Sequence, residues 1–547
     1  MGGSQRAAPC PVKRAAEPYV NCAPRVSVEP KRTSIAFQGD VLDPTASPFG
    51  TEPAATFSLP SSANLPKIDA ASGLLSAASH RARISMLIEF VNHASLIITS
   101  GDVRLISDPW LEGKVFDEGW DLVATSAMTF DDFKNISHVW FSHEHPDHFS
   151  PDNIKKISEE HRRAIHVLFQ ETKDKKVFRF CQRAGFGQVT ELPPQKWLRI
   201  GEDIQVLNSP NDTNWAADSW LHVRTPTGTL LNLNDCGAVA QLHTIKQLVG
   251  EVDVLATQFS FAQWERNRDA VDHRLAHERH VLEDVKRQID ILKPRYVIPF
   301  ASFAWFCTDE NFYLNAEKNK IRDVAAFIRD NTKSEPIVMY PGDRWIVGEP
   351  HDTDAAISRY ERDFAQIADP LIRPRTQRNV IDTKTLIEAG NEHRRRLSAL
   401  GPPLVVRAHL ARQCYINRTG FGAGRLSNLL KLAGAHVEPA RLFVTDLDQA
   451  FKFDLRQGLQ PIDISRDACD IMLSSASLAY CFRFPWGGET LFVNGCFQEN
   501  KDWKNVTSMA YPNRFFKYCS LLRRADLGYR FSWSSAAESL LQKLAFR

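Results

Sequence analysis

His143, His145, Asp147 and His148 stand within six consecutive residues, an H-x-H-x-D-H cluster that follows directly on the apolar run at 139–142. Neutral imidazoles and a carboxylate at this density suit a divalent cation, and zinc and iron both accept such a mixed nitrogen and oxygen set. On an extended loop, His143 and His145 project to one side and hold one cation. Asp147 and His148 fall on the next turn and address a second, so the layout is dinuclear. A bound cation lowers the pKa of water from roughly 16 toward about 7, which is the chemistry of hydrolysis at neutral pH. Asp147 is then the catalytic group, orienting or deprotonating that water while it serves as a ligand. The plain alternative makes Asp147 only the cap of a helix beginning near Pro151, but capping requires one such residue and not four.

Such a cluster needs support. Residues 139–142 are rich in β-branched and aromatic side chains and read as a strand, which puts the ligands on the loop leaving its carboxyl end. Short apolar runs separated by turn signals at 86–91, 96–99 and 103–107 read as a meander opening a sheet. Further runs follow at 165–169, 204–207, 220–223, 230–233, 252–256 and 296–300, and between them 151–162, 240–249, 280–292 and 316–329 have helical spacing. Strands mixed with helices on both flanks predict a layered α/β fold.

H-x-H-x-D-H after a strand resembles the signature of the metallo-β-lactamase superfamily. Val91-Asn92-His93-Ala94-Ser95 and Leu105-Ile106-Ser107-Asp108-Pro109-Trp110-Leu111 are similar to the opening hairpin of one branch of it. That branch contains ascorbate-6-phosphate lactonases, N-acyl-phosphatidylethanolamine phospholipases and CMP-N-acetylneuraminate hydroxylases. The hydroxylases resemble this chain most, through Gly119-Trp120, residues 231–236, residues 293–301 and Phe497. The resemblance spans most of residues 84–525 and implies an αββα four-layer sandwich. It also implies that Asp235 bridges two metals; the residues alone leave open a turn beginning the Cys236-Gly237 loop. The next superfamily His falls on Asn214, an amide that binds zinc poorly, with Asp212, Asp218 or His222 as available substitutes. The last superfamily His is absent from Pro299-Phe300-Ala301-Ser302, as it is in the hydroxylases. His93 and Asp108 fall where the first hairpin approaches the metals, and are expected to orient a ligating imidazole or touch substrate. A turn former is the other reading of Asp108.

Residues 1–80 are rich in Pro, Ala and Ser, lack periodicity, and read as a disordered arm. A metal-binding domain is expected at 84–345, a linker or extension at 346–403, and a smaller C-terminal α+β region at 404–547. A chain of 547 residues exceeds one core, and 43% hydrophobic content suffices for burial. The arm lacks the apolar core of a signal peptide, and Arg6 departs from an N-myristoylation signal. No apolar run approaches about eighteen residues, so a soluble, cytoplasmic chain with no membrane contact is expected. The 67 basic and 65 acidic residues are interspersed, which argues against nucleic acid as partner. His273, His277 and His280 share a helix face and read as a solvated stripe. Gly420 to Gly424 lacks the Lys-Ser or Lys-Thr of a phosphate loop and reads as a turn.

Ten cysteines without a C-x-x-C pair fit neither a zinc ribbon nor a disulfide scaffold, and suit a reducing compartment. The related hydroxylases begin with a Rieske iron-sulfur domain, which needs two Cys and two His in paired spacings. Cys10 and Cys22 have no neighbouring His. Three functions follow: a metal-dependent hydrolase acting on a phosphorylated or nucleotide-linked small molecule; an iron hydroxylase reduced by an external electron donor; or a non-catalytic binding module with a degraded metal site. The cofactor in the first two is zinc or iron, one or two ions.

Overall fold

The computed structural model describes residues 86–211, 218–416, 437–500 and 513–532. The arm at 1–80, Asp212, Asn214 and the glycine-rich turn at 420–424 lie outside them.

Two seven-stranded sheets follow one plan. In the first, β1 (Leu87–Asn92), β2 (Ser95–Ser100) and β3 (Val103–Ser107) form an antiparallel meander. After β4 (Trp120–Leu122) the chain continues parallel to β3 through β5 (His138–Phe141), β6 (His166–Gln170) and β7 (Gln188–Leu192). The second sheet repeats this order. Its antiparallel strands are β8 (Lys196–Arg199), β9 (Gln205–Pro210), β10 (Ser219–Thr225) and β11 (Gly228–Asn234). Its parallel strands are β12 (Val254–Gln258), β13 (Tyr296–Phe300) and, beyond β14 (Ala304–Phe306), β15 (Glu335–Pro336). Strand β16 (Arg344–Ile346) returns to the first sheet beside β1, and β4 pairs with β14.

Alternation along the strands assigns their side chains to layers. Leu96, Ile98, Leu105 and Trp140 share one core with Val206, Leu221, Leu231 and Val297 of the second sheet. Their neighbours Ile97, Ile106, Val139 and Phe141 point the other way, onto the helices Pro151–Lys156 and Lys176–Arg183. The helices Leu242–Val249, Val271–Leu292 and Ile321–Asn331 pack on the second sheet. The layers are therefore αββα, and each large apolar side chain fully buried between the sheets contributes about 2 kcal/mol.

Two local features depart from the sequence reading. The helix expected over 151–162 breaks at Ile157, because Ser158 caps a second helix, Glu159–Ala164, by accepting from His161 N. The weakly periodic stretch 346–403 contains the helices Thr353–Ala368 and Thr383–Ser398, whose starts are set by Asp352 and Asp382 accepting from the backbone N–H three residues on. Thr383–Ser398 joins a five-stranded sheet (440–499) and the helices Ser475–Arg483, Gly487–Asn494 and Arg514–Asp526 around a second core that includes Leu386, Phe453, Leu478 and Phe515. Among the described residues no helix is long and apolar enough to cross a membrane.

Candidate metal centre

The H-x-H-x-D-H loop leaves the carboxyl end of β5, and Asp235 directly follows β11, so the two parallel halves present their loops at one place. Ser150, and not Asp147, caps the helix Pro151–Lys156: its side chain accepts from Asn153 N. Asp147 is thereby free of the capping role. His148 N and Phe149 N both donate to His145 O, at 3.0 and 2.7 Å, making the turn that sets the second pair of ligand side chains against the first.

Seven side chains converge there in three groups, each of two imidazoles and one carboxylate: His93 with Asp147 and His148, His143 with His148 and Asp235, and His143 with His145 and Asp218. Asp147 Oδ2 lies 3.3 Å from both His93 Nε2 and His148 Nε2. Asp235 Oδ2 lies 3.5 Å from His148 Nε2 and 3.8 Å from His143 Nε2, between the two clusters. Asp218 Oδ1 is 3.9 Å from His143 Nε2. A cation with bonds of about 2.1 Å holds donor atoms roughly 3 to 3.5 Å apart, so these separations fit one after small side-chain adjustment.

Hydrogen bonds behind the cluster fix which ring nitrogen faces inward. His148 Nδ1 donates to Asp108 Oδ2 at 2.9 Å, which leaves Nε2 toward Asp147 and Asp235. The Ser142 hydroxyl donates to the same carboxylate oxygen at 2.7 Å and accepts from His143 Nδ1 at 2.9 Å. Burial holds the His93 and His143 imidazoles below their ordinary pKa, neutral and able to offer a lone pair. At His148 burial acts the same way but is outweighed by Asp235, Asp147 and Asp108, which carry it well above that value. At Asp147 and Asp235 the burial penalty is outweighed by His148, with His93 and His143 adding to it, and both carboxyls lie below the usual range.

Metal chemistry fits these residues on one observation in particular. Buried atoms of the clustered residues, including His148 Nε2, Asp147 Oδ1 and Asp235 Oδ1, have no hydrogen-bond partner among the described residues, while His145 Nδ1 meets His143 Nε2 at 2.9 Å. Leaving such groups unpaired is costly, and a divalent cation satisfies them together.

An aromatic wall flanks the cluster. Trp110 meets His93 edge-on at 5.5 Å and Phe116 meets His145 at 5.9 Å, within a small core shared with Trp120, Phe261 and Phe306. The backbone around the site is strained: His93, Asp108, Asn234 and Ala301 have φ of 41°, 40°, 38° and 53°. Left-handed conformations at residues with a Cβ are uncommon and cluster at functional sites.

The structure thus brings His143, His145, Asp147, His148 and Asp235 together, with Asp108 behind His148. His93, read from sequence as a supporting residue, stands within reach of a cation itself. Its carbonyl accepts from Ala301 N at 2.8 Å, so the first hairpin turn abuts the end of β13, where the last superfamily His was missed. Of the proposed substitutes for Asn214, Asp218 and His222 lie among the described residues, and Asp218 joins the cluster. His222 is buried against Trp197, with ring centroids 5.4 Å apart, and belongs to none of the three groups. Of the helical histidine stripe, His273 and His280 are exposed and His277 is half-buried; His273 and His277 face the buried Glu265 at 3.5 and 3.7 Å. Ser142 escaped the sequence reading. Its position between an apolar strand and the first ligand is the only signal it offered.

Residues 87–262 match the family model described as the beta-lactamase superfamily domain. A cytidine monophosphate-N-acetylneuraminic acid hydroxylase of Danio rerio is 22% identical over 229 residues, 40% of this chain and 38% of that protein. Its counterpart in Mus musculus is 23% identical over 227 residues, 40% and 39%. A putative Rieske 2Fe-2S iron-sulfur protein of Mycolicibacterium smegmatis is 25% identical over 186 residues, 33% and 35%. The match therefore spans less than two fifths of the length of these relatives. Among solved structures, a possible metal-dependent hydrolase from Veillonella parvula aligns with 16% identity and a TM-score of 0.35, covering 48% of this chain and 99% of that one. CmlA, a diiron beta-hydroxylase from Streptomyces venezuelae, aligns with 14% identity and a TM-score of 0.33, covering 48% and 53%. Residues 87–262 thus match the beta-lactamase superfamily domain, and the αββα layering around them is that of the metallo-β-lactamase fold.

Proposed function

We propose that the chain is a metal-dependent hydrolase whose centre is built from His143, His145, Asp147, His148 and Asp235, completed by His93 and Asp218. The observation that carries this reading is the position of Asp235 Oδ2 between His148 Nε2 and His143 Nε2, suited to a carboxylate shared by two cations. Bound there, a divalent cation supplies Lewis acidity and a water ionised near neutral pH. Asp147 holds or accepts the proton of that water, His148 is kept in register by Asp108, and the Trp110 and Phe116 wall keeps bulk water from that side. A phosphorylated or nucleotide-linked small molecule is the proposed substrate class, on the resemblance to the lactonase, phospholipase and hydroxylase branch. Wild type and Asp147→Asn, purified from a host supplied with zinc and iron, should be assayed on phosphodiester and lactone panels. Turnover by wild type that the variant loses supports hydrolysis; no turnover on any panel by fully metallated wild type removes it.

The second reading is an iron hydroxylase reduced by a separate electron-transfer protein, and it is favoured by the names of the relatives in Danio rerio and Mus musculus. Sets of two imidazoles and one carboxylate also suit non-haem iron. Iron content after anaerobic purification, with an absorption band that changes on reduction, separates this reading from the first.

A further inference from the structure

Glu144 alternates with His143 and His145 along the metal loop, and it pairs with Arg523 of the helix Arg514–Asp526 at 2.5 Å, 379 residues away in the chain. Arg523 is only 9% exposed. Its Nε lies 2.6 Å from Glu489 on the helix Gly487–Asn494, and its Nη1 lies 3.2 Å from Asp526. Lys176, on a helix of the first sheet's outer layer, pairs with Asp526 at 2.5 Å. One buried guanidinium thus meets three carboxylates, one of them on the segment that carries two imidazoles of the centre. A second, separate contact runs the same way: Asn494 Nδ2 donates to Phe116 O at 2.9 Å, and the Phe116 ring packs edge-on against His145.

We propose that Arg523 is a positioning residue for the metal centre: its pairing with Glu144 ties the C-terminal helix to the loop and fixes the spacing of His143 and His145. This rests on the metal-binding reading of that loop. The dihedrals of Glu144 are the soft joint between the two imidazoles, and holding its side chain restrains that joint. A pair largely removed from water is weakly screened by salt, so the restraint persists at physiological ionic strength. Without the guanidinium, Asp526 keeps Lys176, but Glu144 and Glu489 lose their shared cation, and Glu144 is no longer held in its place.

The test uses the full chain in wild-type, Arg523→Gln, Arg523→Lys, Glu144→Ala and Arg523→Gln/Glu144→Ala forms. Each metal-free form is titrated with zinc against a chromophoric chelator, and its thermal unfolding is recorded. Each single neutralising variant should lose about tenfold to 100-fold in affinity for one zinc equivalent. The double variant should be no weaker than Glu144→Ala, because the pair acts as a unit. Arg523→Lys, which keeps the charge without the planar fork, should fall between. Unchanged zinc affinity in Glu144→Ala, or additive losses in the double variant, overturns the proposal. Should Arg523→Gln fail to fold, Glu144→Ala decides alone, since a tenfold loss supports the tie and wild-type affinity refutes it. A wild-type protein that takes up neither zinc nor iron overturns the metal-binding reading itself, a separate failure.

Discussion

His148 Nδ1 donates to Asp108 Oδ2 at 2.9 Å, across 40 residues of chain and with both side chains fully buried. The bond sets the ring's tautomer and aims Nε2 at Asp147 and Asp235, so in the proposed metal centre the strand-end aspartate acts through an imidazole.

Asp108→Asn isolates that role. Asn tolerates the left-handed backbone at this position and preserves shape, while the carboxylate charge is lost. Metal affinity should fall about tenfold to 100-fold with the fold intact, as read by chelator competition and circular dichroism. Wild-type affinity in the variant would leave Asp108 as a turn former.

His93→Gln removes the imidazole 3.3 Å from Asp147 Oδ2. Elemental analysis after dialysis should find one metal equivalent weakened while the other stays. Retention of both equivalents excludes His93 as a ligand.

His222 supplies a pH dependence away from the centre. Burial, with Arg224 adding, pushes its imidazole down to about 3, and neither ring nitrogen has a partner among the described residues. The unfolded chain therefore takes up this proton near pH 6.5 and the folded chain does not, so stability falls as pH drops from about 6.5 toward 3. His222→Phe should raise the melting temperature more at pH 5 than at pH 8. An equal shift at both values means that the histidine is protonated alike in both states.

Gly119→Ala tests the close approach of the C-terminal region. A Cβ there would stand 2.5 Å from Asn494 Cβ and 3.0 Å from Phe116 O. Displacement of either should cost about 1 to 3 kcal/mol, visible in denaturant unfolding. A midpoint equal to wild type would mean that Asn494 moves aside freely.

Legibility in the sequence followed the range of the interactions. The H-x-H-x-D-H loop could be read because its ligands are neighbours in the chain, and the strands because alternation along β2, β3 and β5 encodes two faces. His93 was seen but its reach was not, since only the pairing of its carbonyl with Ala301 N puts the first turn against the end of β13. The helices within 346–403 were overlooked because their apolar faces are thin and their clearest marks are single capping aspartates. Arg523 gave no sign at all: a buried ion pair across 379 residues leaves no period or motif to find.

Glycine would have relaxed the backbone at His93, Asp108, Asn234 and Ala301, yet each keeps a side chain in a left-handed conformation. Each also samples fewer conformations in the unfolded chain than glycine does. The turns at His93 and Asn234, which flank the proposed centre, therefore lose less chain entropy on folding than glycine turns would, and a cation arriving later has less of it to quench there. Capture and release of metal should then be governed by desolvation and proton exchange at the imidazoles, with no slow loop closure to wait for.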